Sequence, residues 1–384
     1  MKIDEKIIAD ENIPFVKEAF SGFGKVITVS GREINKSLLA DASILLVRSV
    51  TKVDKELLEG SSVKLVASST VGVDHVDTDY LRENSIGFVH APGSSAESVA
   101  EYVITSIMHI AEKCGKNLKD MTLGIIGVGN IGSKVFRMAE TLGIRCLLND
   151  PPKKRLTGSD IYVSLDETLA KSDIITLHVP LNIKGEDPTI QMVNSQFVSR
   201  MKKNAVLINT SRGKVVDEIS VMNGIDSLGG VVFDVWENEP SINKKMLKLA
   251  DIGTPHVAGH SCEGKLRGTK MIYDGVCAYF FKKEEWNLPE GSFTDVINEI
   301  DVSLSDTPVR DAIFAAYNIA EDSERFKEKM SLEDVKVSDI FDKLRKEYKH
   351  RHEFSRYLVR YDRKQKDSAD ILVGLGFQVA PVKK

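Results

Sequence analysis

Short apolar runs alternate with longer amphipathic stretches from residue 6 onward. KIIAD, KVITV, ASILLVRS, VKLVASST and GFVHAPG each read as a buried strand ending at a turn or polar cluster. Between them, IPFVKEAFSGFG and DKELLEG space their apolar residues as helices do. The alternation predicts βα units around a parallel sheet. Pro92-Gly93 interrupts it. SSAESVAEYVITSIMHIAEKC then predicts a helix N-capped by Ser94 or Ser95, which carries the chain from a first domain into a second.

The next stretch, MTLGIIGVGNIGSKVFRMAETLGIRCLLNDPP, predicts strand, glycine turn, helix and strand. Gly127, Gly129 and Gly132 form the turn and Asp150 ends the second strand. A G-x-G-x-x-G says little alone. Here it follows a strand, opens a helix and is answered by an acid about 20 residues on, the full setting of a dinucleotide-binding turn. The first glycine permits the tight turn, the second lets backbone approach a pyrophosphate, and the third lets helix pack on strand. The helix N-terminus adds free N–H groups and partial positive charge. Asp150 would accept from the adenosine ribose hydroxyls and repel a 2′-phosphate, which favours NAD over NADP. The plainer alternative is a strand-end acid capping a turn with Pro151-Pro152.

Strands continue through SDIITLHVPL, NAVLINTSRG, GGVVFDVW and ADIGTPHVAG. Ligands of an open α/β sheet gather at the carboxyl ends of its strands. Asp150, His178, Thr210, Arg212, Asp234 and His256 should therefore converge on one crevice. After Leu288-Pro289-Glu290-Gly291 the pattern changes. VRDAIFAAYNIAEDSERFKEKM and VSDIFDKLRKEYKH predict amphipathic helices, SRYLVRY a strand, ADILVGLG a helix and FQVAPV a last strand, a separate small α+β domain. The lysine- and arginine-rich run from Lys343 to Lys366 reads as a solvated face in preference to a ligand or subunit contact.

Bulk properties narrow the picture. A chain of 384 residues is too long for one core, so two or three domains are expected. A net charge of −4 gives no reason to expect nucleic acid or an anionic membrane as partner. Four scattered cysteines without a C-x-x-C pair argue against a metal site or disulfide framework and for reduced thiols in a cytoplasmic protein. MKIDEKIIADENIPF lacks the apolar segment of a signal peptide, and no apolar run reaches the roughly 18 residues of a membrane span.

INTSRG, DVWENEP and GTPHVAGH carry Arg212, Glu239 and His256. Oxidation of a 2-hydroxy acid needs a base for the hydroxyl proton as hydride leaves, and histidine titrates near working pH. A neighbouring carboxylate fixes its tautomer and stabilises the imidazolium. The arginine fork matches a substrate carboxylate bidentately. Each has a plainer reading, as a turn arginine, a loop acid and a strand-end histidine. Their joint occurrence at consecutive strand ends of a dinucleotide fold favours the chemistry. His178, His75 and His260 are weaker candidates, and His178, before Val179-Pro180, shapes the cofactor crevice more readily than it acts as a base.

GVGNIG, INTSRGKVVD, FDVWENEP and TPHVAG make the chain resemble the D-isomer-specific 2-hydroxyacid dehydrogenases, in order over residues 1 to about 285. ADENIPF, VRSVTKVD, STVGVDHVD, the long PLNIKGEDPTI, IGTPHVAGHSCEGKLRGT, FDKLRKEY and SRYLV are similar to the branch of that superfamily that acts on 4-phosphoerythronate. The resemblance implies two Rossmann-like or flavodoxin-like doubly wound parallel-sheet domains with a cleft between them, plus a small C-terminal α+β dimerisation domain. Residues 1–95, completed by 258–288, would be a substrate-binding lid, 96–257 the NAD-binding Rossmann domain and 289–384 the dimerisation domain of a cytoplasmic homodimer. The implied reaction is NAD-dependent oxidation of the C2 hydroxyl of 4-phospho-D-erythronate to 3-hydroxy-2-oxo-4-phosphooxybutanoate, on a route to pyridoxal 5′-phosphate. Arg212 and Glu239 would be the active-site pair and His256 the proton donor or acceptor. Gly127, Gly129, Asn130, Ile131, Gly132, Asp150, Val179, Thr210, Ser211, Arg212, Asp234 and Gly259 would line the NAD site.

Ser49 and Thr70 would contact substrate, as would the residue after Gly259, a tyrosine in that branch and His260 here. An imidazole still donates, but its charge changes near neutral pH. A phosphorylated 2-hydroxy acid carries a second anion, for which Arg48, Ser49 and Lys52 offer donors just after ASILLV. Alternatively, Arg48 pairs with an acid and only fixes its loop. Two other functions compete: a phosphoglycerate dehydrogenase or another D-2-hydroxyacid dehydrogenase, and an NAD-sensing binding protein without turnover.

Overall fold

The computed structural model describes residues 5–332 and 336–382. The chain forms two units, Met1–Ser95 with Ser261–Phe293, and Ala96–His260 with Thr294–Lys384.

The first unit is built on five parallel strands, β1 (Glu5–Asp10), β2 (Gly24–Val29), β3 (Ile44–Val47), β4 (Leu65–Ser68) and β5 (Gly87–His90), in the order β2-β1-β3-β4-β5. This is the flavodoxin-like order. Every residue of β3 and β4 is buried, as befits strands sheltered on both faces. The helices predicted between strands are present but short, Val16–Phe20 and Lys55–Leu58, the second capped by the Asp54 side chain on the Leu57 amide. Helix Cys262–Tyr279 belongs to this unit, with Ile272, Tyr273 and Val276 packed among Ile7, Phe20, Phe23 and Leu65.

The second unit holds six parallel strands, β6 (Thr122–Ile126), β7 (Arg145–Asn149), β8 (Ile174–Leu177), β9 (Ala205–Asn209), β10 (Leu228–Phe233) and β11 (Ile252–Gly253), in the order β11-β10-β9-β8-β6-β7. Beyond β7, Tyr162 makes a single parallel bridge to Leu148 where a dinucleotide fold places its third strand. One register row crosses the sheet: Asn149 opposite Ile126, Ile126 opposite Leu177, then Asn209, Phe233 and Gly253. The residue after each member therefore leaves the sheet at the same edge. Those residues are Asp150, Gly127, His178, Thr210, Asp234 and Thr254.

The strand predicted over ADIGTPHVAG is only two residues long. It stops because Thr254 turns its hydroxyl to Asp234 and the chain bends at His256, which has φ +56°. The helix predicted after Pro92-Gly93 is Ala96–Lys113, and it is buried on nearly every side. It lies against helix Gly132–Thr141 and two helices of the tail. Its polar Thr105 and Ser106 hydroxyls donate to the carbonyls of Glu101 and Tyr102, one turn back.

The tail contributes a third sheet of parallel strands, β12 (Asn298–Asp301), β13 (Tyr357–Tyr361) and β14 (Gln378–Pro381). The one long helix predicted near VRDAIFAAYNIAEDSERFKEKM is two, Pro308–Ala316 and Ile319–Ser331. The break is local: Tyr317 is extended and buried, and Asn318 caps the next helix through the Glu321 amide. Phe326, Met330 and Phe341 share a core with Trp236 and Phe233 of the second unit. The basic run is not uniformly a solvated face. Lys343 and Lys346 are exposed, but Arg351 and Arg356 are buried.

Candidate active site

The glycine turn follows β6 at the common edge. A Cβ on Gly127, which has φ +87°, would stand 2.6 Å from the His178 carbonyl oxygen, and one on Gly132 would stand 2.0 Å from that of Gly127. Protein packing alone demands these two glycines. Gly129 differs: it is exposed, and a Cβ there would meet nothing within 4 Å. The space over the second glycine is open to a ligand. Asn130 is exposed beside it, and Ile131 leads into helix Gly132–Thr141, whose positive end faces the turn.

Asp150 realises the plainer alternative without losing the other. Its Oδ1 accepts the Lys153 amide at 3.0 Å and caps helix Pro151–Thr157, while its Oδ2 accepts the Val128 amide inside the glycine turn at 2.8 Å. An ionised carboxylate has lone pairs for further donors. At the next strand end, His178 is buried and its Nε2 lies 3.0 Å from the Thr176 hydroxyl. Burial pushes it down to about 3, so it is a neutral wall residue and not a base. Val179 packs beside it, with its Cγ1 2.9 Å from where a Gly127 Cβ would stand. The Thr210 hydroxyl is buried with no partner among the described residues. A buried polar atom left so at a strand end is one a bound group would satisfy. Together with the open Gly129, it makes the edge fit a dinucleotide. Ser211 donates to the Asn209 side chain at 2.8 Å.

Arg212 follows, half-buried, with Nη1 donating to the Ser211 carbonyl at 2.6 Å. The chain must turn immediately afterwards, because a Cβ on Gly213 would stand 1.8 Å from the Trp236 carbonyl oxygen. Glu239 places Oε2 2.7 Å from His256 Nδ1 and accepts the Trp236 amide on Oε1 at 2.8 Å. Burial alone would raise the Glu239 carboxyl. Attraction and a hydrogen bond from His256, the Trp236 amide and the charge of Arg345 outweigh it and hold the group below its usual value. With Nδ1 facing Glu239, His256 has Nε2 left for chemistry.

Asp234, expected along the cofactor site, has a structural task. Its carboxylate accepts the Thr254 hydroxyl at 2.6 Å, the Val257 amide at 2.7 Å and the Ala258 amide at 3.0 Å, and its carbonyl accepts the His256 amide at 2.7 Å. It thereby sets the course of the histidine loop. Burial pushes its carboxyl up against these stabilising contacts. Gly259 and His260 end the loop, half-buried, with the His260 amide on the Val257 carbonyl at 2.8 Å.

In the first unit, Arg48 and the exposed Ser49 follow β3 directly. The Thr70 hydroxyl donates to the Gly72 carbonyl at 2.8 Å and meets the Ser68 hydroxyl at 2.7 Å, so its proton is already committed. Lys52 pairs with Asp54 at 2.6 Å and is largely exposed. Lys265, on helix Cys262–Tyr279, was not singled out in the sequence. Burial and then the nearby charge of Arg48 lower its affinity for a proton, so two cations of this unit are close enough to repel. A lysine four residues into a helix carries no sequence signal of that proximity. Among the described residues, no group of three or more His, Cys, Asp or Glu is placed to hold a metal ion.

Comparison with known proteins agrees with this geometry. The profile of the D-isomer specific 2-hydroxyacid dehydrogenase NAD binding domain matches residues 98–258, and a domain of unknown function matches 288–376. The fold is shared with D-lactate dehydrogenase from Aquifex aeolicus, solved with NAD and lactic acid, at 29% identity and TM-score 0.60 over 72% of this chain and 95% of that one. It is also shared with an NAD-bound 3-phosphoglycerate dehydrogenase of Entamoeba histolytica, at 22% identity and TM-score 0.61 over 74% and 99%. Erythronate-4-phosphate dehydrogenase of Salinibacter ruber is 40% identical over 92% of this chain and 93% of its own length, and that of Escherichia coli 38% over 97% and 98%. The chain belongs to the erythronate-4-phosphate dehydrogenase family of NAD-dependent D-isomer-specific 2-hydroxyacid dehydrogenases.

Proposed function

We propose that this chain oxidises the C2 hydroxyl of 4-phospho-D-erythronate to the 2-oxo acid with NAD, a step toward pyridoxal 5′-phosphate. The observation that carries this reading is the Glu239–His256 pair, 2.7 Å apart, on the strand-end edge that also holds the glycine turn and Arg212. NAD, when bound, supplies the hydride acceptor. The glycine turn and the following helix end hold its pyrophosphate, Asp150 its adenosine ribose, and Val179, Thr210, Ser211, Asp234 and Gly259 line the rest.

Arg212 pairs with the substrate carboxylate and holds C2 in place. His256 Nε2 takes the hydroxyl proton as the C2–H bond breaks and the carbonyl forms. The Glu239 carboxylate stabilises the resulting imidazolium, and the Trp236 amide keeps that carboxylate aimed. Arg48, Ser49 and Thr70 of the first unit are assigned to the substrate, with Arg48 on the phosphate, and His260 of the second unit to an anionic oxygen. The functional division follows: residues 1–95 with 258–288 bind substrate, 96–257 bind NAD, and 289–384 join two copies in a cytoplasmic homodimer. The dimer is checked by sedimentation of the full chain, where a monomer at micromolar concentration refutes it. No helix among the described residues is long and apolar enough to cross a membrane.

The reading is tested by incubating the protein with NAD and 4-phosphoerythronate and following NADH together with a trapped 2-oxo acid. Equal yields of both support it. A protein that binds NAD with ordinary affinity but forms neither product is the sensor instead.

A further inference from the structure

Arg351 sits in a run rich in lysine and arginine, yet it is only 3% exposed. A guanidinium tolerates burial only when its donors find acceptors. Its Nη1 donates to the Ala258 carbonyl at 3.0 Å and its Nη2 to the Ser98 carbonyl at 2.6 Å. Nη2 also lies 3.6 Å from Glu101 Oε2, and the guanidinium carbon stands 3.9 Å from the centre of the Tyr317 ring. Glu101 in turn accepts the Phe354 amide at 2.7 Å, fixing the chain just past Arg351.

The Ala258 peptide is thus held from both sides. Its N–H is on Asp234 and its carbonyl is on Arg351. Ala258 lies two residues past His256, whose φ of +56° is a conformation that side chains with a Cβ seldom adopt. Such a conformation persists where the surroundings over-determine it. Three residues before Arg351, Tyr348 meets the His260 ring edge to face, with centroids 6.0 Å apart and planes at 67°, while its hydroxyl donates to Asp322 at 2.5 Å. Arg345, on the preceding helix Val337–Lys346, is near enough for its charge to act on Glu239.

We propose that the C-terminal tail is a positioning element of the catalytic centre, in which Arg351 fixes the Ala258 peptide and so the backbone that aims His256, and Tyr348 fixes the ring of His260. The inference rests on His256 as proton acceptor in the reading above. Without the tail contact the loop keeps its anchor on Asp234 but loses the opposing one. The imidazole then samples angles from which Nε2 misses the hydroxyl. Of the NAD-lining residues named above, Gly259 lies in this loop and the glycine turn, Asp150, Val179, Thr210, Ser211 and Asp234 do not, so NAD binding changes little.

The test uses the full chain with Arg351→Lys and Arg351→Met. Lysine keeps a charge beside Glu101 but cannot reach the Ala258 and Ser98 carbonyls at once. We expect both variants to bind NAD within about threefold of wild type and to lose kcat by on the order of tenfold to a hundredfold, more than KM changes, with lysine recovering part of the methionine loss. The pH profile of kcat should shift, and amide hydrogen exchange over residues 256–261 should quicken. Unchanged exchange over 256–261 overturns the brace. Faster exchange with kcat within twofold of wild type overturns the positioning role. If the methionine variant does not fold, the lysine variant decides both points. Exchange is read without substrate, so the brace stands or falls separately even if 4-phosphoerythronate proves not to be turned over.

Discussion

Glu239 and His256, 17 residues apart in sequence, share a 2.7 Å contact between Oε2 and Nδ1, and the remaining carboxylate oxygen of Glu239 is held by the Trp236 amide. The carboxylate can neither rotate away nor be replaced by solvent without losing a backbone bond. This couples the tautomer of the histidine to the fold of the loop before it. His256→Ala should lower kcat by about 10² to 10⁴ with NAD binding nearly intact, the range for loss of a general base. Glu239→Gln should lower kcat less, because the charge that stabilises the imidazolium formed in the reaction is gone while a hydrogen-bond acceptor stays. Steady-state kinetics across pH checks both. A His256→Ala enzyme retaining more than about half of kcat would remove the assignment.

Asp150 should show two effects. Asp150→Ala removes the carboxylate that opposes a 2′-phosphate, so the preference for NAD over NADP should narrow. It also releases the Val128 amide and uncaps helix Pro151–Thr157, so KM for NAD itself should rise. An unchanged ratio of kcat/KM for the two cofactors, alongside a weaker helix, would leave Asp150 as a cap only.

Glu218 predicts a pH-dependent stability. It is buried and accepts the Glu237 amide at 2.9 Å, and burial, with the nearby charges of Glu237 and Glu239, raises it from 4.5 to about 7. Between those values the folded state keeps a proton that the unfolded state has released. Stability therefore falls as pH rises from 4.5 toward 7. Glu218→Gln keeps the acceptor oxygen and removes the titration. The variant should be more stable than wild type at about pH 8 by on the order of 1–3 kcal/mol, with the gain vanishing near pH 4. Denaturant titrations at the two pH values measure this, and a difference independent of pH would contradict it.

Arg48 and Lys265 form the cationic corner of the first unit. Arg48→Ala should raise KM for 4-phosphoerythronate far more than for unphosphorylated erythronate, at a cost of about 1.5–3 kcal/mol, tenfold or more in kcat/KM. Equal losses on the two substrates would show that Arg48 does not read the phosphate.

Much of this was legible because it is local. A strand, a glycine turn and an acid form one contiguous signature, and the register row that aligns Asp150, Gly127, His178, Thr210 and Asp234 follows from each strand ending at its own polar cluster. What stayed hidden depends on distant partners. The work of the Asp234 carboxylate inside the fold, accepting from Thr254, Val257 and Ala258, is one such case. Arg351 was hidden in a basic run that composition assigns to solvent. Its acceptors lie 93 and 253 positions away, at Ala258 and Ser98, and no periodicity records them. The break at Tyr317-Asn318 was missed for a related reason. Asn318 is a known cap type, but apolar spacing runs on through it, and Tyr317 leaves the helix to lie under Arg351.

This constellation serves a phosphorylated four-carbon 2-hydroxy acid and not merely any D-2-hydroxy acid. The most direct measurement is kcat/KM, by NADH formation, for 4-phosphoerythronate beside 3-phosphoglycerate on one preparation. A preference for 4-phosphoerythronate of at least about a hundredfold is expected, near 2.7 kcal/mol of differential transition-state binding. Equal values, or a preference for 3-phosphoglycerate, would contradict it.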